Sequence, residues 1–268
     1  MSGRSKKGWS ATGVIAAVWI VWALTGLVYT PHDPQAQDFL DVRLSGFVSG
    51  HLFGVDGLGR DMLSRLWRGS GVTVVLGLIA SALTLIFSSV LLAVERSGPI
   101  VFKTLIRGIV SIGIALPVLF VGLLFLVFLE PSPGTLVIAV AIGSVAFGYR
   151  QLRVIWAEQA GALHVAASRA LGARRSHIIR FSIWPNARLQ ILSLAKLLFA
   201  VGVLELSGLT FLGLTGDPDL PELGTILRHN QAYLFQEPAL VIWPGIFLSG
   251  LLLVVHLSSV HGRSRVKN

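Results

Sequence analysis

The chain has 268 residues, of which 53% are hydrophobic and only 13% charged, and its mean hydropathy is +0.75. Ordinary soluble domains carry about 25% charged residues, and a soluble body of this size cannot keep so many apolar side chains off its surface. The composition excludes a soluble protein and makes membrane lipid its surroundings. A net charge of +9 would point to nucleic acid in a soluble chain. Here Lys and Arg flank apolar stretches and set orientation instead, so nucleic acid is not an expected partner. The absence of cysteine removes disulfides, iron–sulfur clusters and Cys-ligated zinc.

A helix needs about 20 apolar residues to cross the hydrocarbon layer. Six stretches qualify or come close: Ala11–Tyr29, Gly71–Val94, Ile109–Leu129, Gly134–Tyr149, Leu194–Leu214 and Ala239–Val260. The first follows the basic residues Arg4, Lys6 and Lys7 and resembles a secretory signal at first sight. It exceeds the ~7–15 residues of a signal core and carries Trp19 and Trp22, and no small-x-small cleavage site follows it. It reads as a retained span. The third and fourth are separated by Glu130–Gly134, a tight turn by composition. The fourth is short but can continue through Gln151 and Leu152.

Charge sets the direction of these spans. Placing the amino terminus, Glu95–Arg107, Arg150–Lys196 and the carboxyl terminus on one side leaves only Arg43, Arg60, Arg65, Arg68 and Arg228, of 22 basic residues, on the other. Both termini are therefore expected in the cytoplasm. The outer side holds Thr30–Ser70 and Thr215–Pro238.

Searches for chemistry fail. The stretch nearest to a phosphate loop, Gly3–Ser10, has Trp9 where the lysine must sit. No nucleophile elbow or zinc helix occurs, and the seven histidines never pair at i,i+4, so a helical metal site is unsupported. No catalytic residue, bound cofactor or metal is expected in this chain. Two charges fall inside a span. Lys196 is near the cytoplasmic end and can snorkel. Glu205 lies mid-span and must face a bundle interior, a partner helix or water, or be protonated; lining a path and structural pairing are equally open. Small residues spaced by four, Gly77 with Ser81 and Ser144 with Gly148, let helices approach closely.

The inner segment after span four reads as two short helices. The first, about Gly161–Leu171, is capped by Gly172; the second, about Arg174–Ile183, stops before Pro185. Locally the pattern suits docking in a partner's groove, with an amphipathic segment lying on anionic lipid as the lesser alternative.

This segment resembles the EAA loop of permease subunits of binding-protein-dependent ABC importers, roughly E-A-A-x3-G-x9-I-x-L-P. Ala167, Gly172 and Pro185 match, with the required thirteen-residue step between the last two. Ala166 stands at the glutamate position and Ser168 at the second alanine. Two further blocks resemble the dipeptide/oligopeptide/nickel branch: Phe53–Arg65, against G-T-D-x-x-G-R-D-x-x-S-R, and Leu209–Leu214, against L-S-F-L-G-L. The likeness covers nearly the whole chain.

The resemblance implies an all-α polytopic membrane protein with six transmembrane helices, the type I importer permease (MetI-like) fold, in the bacterial inner membrane. Residues 1–70 would be the first span plus an external segment, 71–260 the importer transmembrane domain with its coupling loop at 158–186, and 261–268 a cytoplasmic tail. The coupling residues would be Ala166, Ala167, Ser168, Leu171, Gly172, Ala173, Arg174 and Arg175, with Ala162–Arg175 moving as a rigid lever. Residues His51–Arg68 would lie at the membrane surface near a receptor, or serve as an amphipathic anchor. Implied partners are a homologous second permease, two ABC ATPases that bind ATP and Mg2+, and an extracytoplasmic solute-binding protein. The implied solutes are small peptides, nickel chelates or opine-type metallophores. The rival from another class is a stand-alone ion-coupled carrier using Glu205, which would need inverted repeats or interrupted helices.

Overall fold

The computed structural model describes residues 11–38, 50–215 and 217–264. The basic residues Arg4, Lys6, Lys7, Arg43, Arg265 and Lys267, used above to orient the chain, lie outside them. In chain order the helices are α1 (Ala11–Thr25), α2 (Met62–Ser97), α3 (Ile100–Ala115), α4 (Val118–Phe128), α5 (Pro133–Ala160), α6 (Leu163–Ala170) and α7 (Arg175–His177). A π-helical turn over Ile178–Ile183 leads into α8 (Trp184–Phe211), followed by α9 (Leu223–Asn230), a 3-10 turn and α10 (Ala239–Ser264). An isolated antiparallel bridge joins Val55 to Asp61.

Among the described residues, four helical runs are long and apolar enough to cross a membrane: 62–97, 133–160, 175–211 and 239–257. The pair α3 and α4 makes a fifth if taken as one span, but it is bent by 100°. The third span expected over Ile109–Leu129 thus falls on two helices. Its cause is Pro117, which pushes the preceding residue out of the helical region; Leu116 sits at φ −91°, ψ 134°. Helix α1 is described from Ala11 to Thr25.

The chain divides into two compact units, 76–217 and 1–75 with 218–268. In the first of these, α5 is the central element. It begins with a capping box: Ser132 Oγ accepts from the Thr135 amide and Thr135 Oγ1 from the Ser132 amide, with Pro133 in the first turn. This is the turn expected at Glu130–Gly134. One apolar cluster gathers Leu136, Val140, Leu206 and Leu209; a second gathers Leu92, Tyr149, Leu152 and Leu198. Small side chains let α2 lie close to α5 and α8. Thr84 and Ser88 donate across to the carbonyls of Ala141 (3.3 Å) and Val145 (3.1 Å), and a Cβ on Gly77 would stand 2.6 Å from Val203. Large apolar side chains also point away from the unit, Phe128 at 84% exposure among them, as expected of a surface that meets lipid or other apolar helices.

In the other unit, α1 packs on α10 and α9 on α10. Met62, Leu66, Leu223, Ile226 and Leu240 form its buried core. Trp22 of α1 stacks on Trp67 at 5.4 Å and 6° between planes, and the Trp67 indole N–H donates to the Trp22 carbonyl at 2.7 Å. Trp22, with Trp19 against Phe247, ties α1 to the rest of its unit.

Candidate functional site

The segment 158–186 folds into a helical hairpin. Helix α6 ends in a Schellman motif: the Gly172 amide donates to the Arg169 carbonyl at 3.0 Å and the Ala173 amide to that of Ser168 at 3.1 Å. Gly172 takes φ +79°, the left-handed conformation its cap position requires. Beneath the tip, Val165, Ile178 and Ile183 are buried together with Trp156, Ala160, Ala173 and Ile179 packed around them. At the base, Gln159 donates to Gln190 (3.1 Å) and Gln190 to Glu158 (3.0 Å).

The second arm departs from expectation. It does not stop before Pro185 but runs on as one helix to Phe211. Proline ends an α-helix because its ring meets the carbonyl four residues back and it offers no N–H. The π turn avoids this: the Trp184 amide reaches back five residues, to the Ile179 carbonyl, and the wider turn makes room for the ring.

Of the residues singled out for coupling, the hairpin exposes Ala166, Ala167, Leu171, Gly172, Arg174 and Arg175, and half-buries Ser168 and Ala173. Leu163 and Leu171, at 89% and 88% exposure, flank this tip. Beside it, Arg96, Trp156, Arg169 and Arg175 help to line a recess of about 310 Å³, with the Arg96 guanidinium 4.5 Å over the Trp156 ring. Glu95 is not a free acid on a basic face; Arg107 Nε donates to it at 2.8 Å and Arg153 stands at 3.8 Å.

Glu205 is half-buried on α8, with one carboxylate oxygen enclosed and without a hydrogen-bond partner. It is not brought together with the hairpin residues.

A second site is the block Phe53–Arg65. It does not form a separate anchor: Met62–Arg68 are the first turns of α2, and its charges are buried. A turn closes when the Gly59 amide donates to the Asp56 carbonyl at 2.9 Å, with Gly59 at φ +74° and no room for a Cβ beside the Asp38 carbonyl. Asp56 accepts from the amides of Leu58 and Arg60 and from Arg60 Nε. Arg65 Nε lies 3.5 Å from the same carboxylate and its Nη1 donates to the Pro34 carbonyl. Arg60 also reaches Asp219 (3.4 Å) and His229 Nδ1 (3.3 Å). Burial, then the positive charges of Arg60 and Arg65, push His229 below the usual histidine range. Asp61 accepts from the Ser64 amide at 2.8 Å, capping α2. Burial raises its pKa, but hydrogen bonds from Ser64 and His51 outweigh it and hold the carboxyl below its ordinary range. Arg60 and Arg65, counted above as orienting surface charges, are in fact 1% and 0% exposed.

Residues 86–267 match the family described as the binding-protein-dependent transport system inner membrane component. The chain belongs to this family. Its members are transport permeases of the inner membrane, so this is a permease subunit of an ABC importer and not an enzyme. The chain is 30% identical over 255 residues to the di/tripeptide transport system permease protein DppC of Pseudomonas aeruginosa, covering 91% of this chain and 80% of that one. It is 28% identical over 238 residues to the nickel transport system permease protein NikC of Escherichia coli (88% and 84%). Among solved structures, the MetNI methionine ABC transporter in an inward-facing conformation superposes at TM-score 0.60, with 20% identity, 77% of this chain and 96% of that one. An amino acid ABC transporter with histidines superposes at 0.61, with 21% identity, 75% and 94%. The fold is that of the MetI-like type I permease. Family membership favours an ATP-driven importer over a stand-alone ion-coupled carrier.

Proposed function

We propose that this permease forms half of the translocation pore of an importer for small peptides or for metal chelates, with nickel or an opine-type metallophore as the metal case. A homologous permease supplies the other half, two ATPase subunits that bind ATP and Mg2+ dock beneath, and an extracytoplasmic binding protein delivers the solute. The distribution of basic residues supports cytoplasmic termini and a cytoplasmic hairpin. Peptide and nickel permeases among the relatives support the solute class.

The hairpin 158–186 couples the ATPases to the pore. The observation that carries this reading is its construction: an exposed tip of Ala166, Ala167, Leu171 and Gly172 on a buried knot of Val165, Ile178 and Ile183, running into α8 without a linker. Small, smooth side chains at the tip suit insertion into a partner's groove, and Arg174 and Arg175 add charge. Glu205 lines the pathway or braces the bundle around it.

The test is solute-stimulated ATP hydrolysis by the reconstituted complex. Gly172→Asp and Ala167→Asp insert normally and lose most of the stimulation; normal stimulation in both overturns the coupling role. Uptake at the wild-type rate by both Glu205→Gln and Glu205→Leu would remove Glu205 from the pathway.

A further inference from the structure

Three side chains from separate stretches of sequence converge where the loop before α2 meets the segment after α1. His51 Nδ1 stands 2.8 Å from Asp61 Oδ1, and His32 Nδ1 stands 3.6 Å from Asp61 Oδ2. The two imidazole rings face each other with centroids 4.7 Å apart and planes at 35°. One ligand atom from each of the three residues lies within 4.8 Å of the others. We propose that His32, His51 and Asp61 bind a divalent late first-row transition metal ion, of the class of Ni2+ or Zn2+.

The chemistry selects the ion. Two imidazoles and one carboxylate are borderline nitrogen and oxygen donors, which suit Zn2+, Ni2+ and Cu2+ rather than Ca2+ or Mg2+. Bonds of about 2.0–2.2 Å separate the ligand atoms on a tetrahedral ion by about 3.4 Å, so side-chain rotations of roughly 1 Å complete the site. The carboxylate is buried at 2% exposure, whereas the His32 and His51 side chains are 44% and 29% exposed. An ion therefore enters past the imidazoles, and water fills the remaining position.

The surroundings hold the ligands in place. Ser64 connects two of them: its Oγ accepts from the His32 amide at 3.0 Å and its amide donates to Asp61 at 2.8 Å. The loop behind His51 is closed by the Gly54 amide, which donates to the His51 carbonyl at 3.2 Å. Such outer contacts fix ligand orientation before an ion arrives. The bound ion ties the segment after α1 to the first turn of α2. None of this depends on which solute the importer carries.

The experiment is equilibrium competition between a chromophoric chelator and the untagged full-length chain in lipid nanodiscs, using Ni2+ and Zn2+ separately as probes. The wild type takes up about one ion per chain and its unfolding temperature rises with added metal. The exposed ligand makes His32→Gln a mild change; it and the double change His32→Gln/His51→Gln weaken binding at least about tenfold and abolish the thermal shift. Wild-type stoichiometry and thermal shift retained in the double variant, or no uptake above background by the wild type, overturn the proposal. Loss of binding together with an unaltered circular dichroism spectrum excludes unfolding as the cause.

Discussion

Arg60 Nε donates to Asp56 Oδ2 at 2.7 Å with both side chains only 1% exposed. Two charges so enclosed are costly to desolvate, and each depends on the other. Arg60→Ala leaves Asp56 with Arg65, at 3.5 Å, as its cationic partner, and Asp56→Ala leaves the buried Arg60 and Arg65 with only the longer contact of Arg60 to Asp219 as a carboxylate partner. Each is expected to destabilise the unit by about 3–5 kcal/mol, read as a large drop in unfolding temperature or loss of the folded chain in detergent. Replacing both by apolar residues should cost less than the two single changes added together.

Two of the left-handed glycines, Gly172 and Gly59, should respond differently to alanine. At Gly172 a Cβ meets nothing within 4 Å, so Gly172→Ala carries only the conformational cost, about 1–2 kcal/mol. At Gly59 the same conformation is combined with overlap against the Asp38 carbonyl, so Gly59→Ala should be clearly more damaging. Thermal unfolding of the two variants side by side checks the order; equal losses would contradict the packing described.

His229 sets a pH dependence. Its pKa lies below the ordinary 6.5 because of burial and the Arg60 and Arg65 charges. Between the folded and unfolded values the unfolded chain binds the extra proton, so stability rises with pH through that window. Acidification from about pH 7 downward should lower the unfolding temperature, and His229→Gln should flatten the curve just below pH 6.5. An unchanged slope in His229→Gln would assign the titration elsewhere.

Removing Pro185 tests the π turn. With alanine there, an ordinary i→i+4 bond from residue 185 becomes available, and the segment Ile178–Ile183 can revert to α-helical winding. One residue of helical register corresponds to about 100° of rotation, so Pro185→Ala should turn the hairpin relative to α8 with little loss of stability. Spin labels on the tip and on α8 would report the change in distance; an unaltered distance distribution would mean that packing of Val165, Ile178 and Ile183 alone sets the turn.

Much of this could be read from the chain. Apolar run lengths located the middles of the helices 62–97, 133–160 and 239–257, though they began the first nine residues late and ended the second short of Ala160, and Gly172 marked the tip of the hairpin. Other features were hidden for identifiable reasons. Hydropathy is blind to direction, so Pro117 inside a continuous apolar run did not reveal a 100° bend. The rule that a helix ends before proline presumes i→i+4 bonding, which the π turn does not use. Arg60 and Arg65 look like surface charges in sequence because, apart from the local Asp56, their partners Pro34, Asp219 and His229 come from distant stretches. His32, His51 and Asp61 show no metal-ligand spacing, since a helix cap and a loop closure, not periodicity, bring them together.

The absence of any linker between the hairpin and α8 has a mechanical consequence. In the proposed coupling, a push on Leu171 would not be absorbed by a swinging tether; it would arrive as torsion on a rod of 37 residues. The wide turn at Ile178–Ile183 is where that rod is most readily over- or underwound, because its backbone bonds are the least ideal. Slippage there would cost stroke, and stiffening it would lengthen the throw.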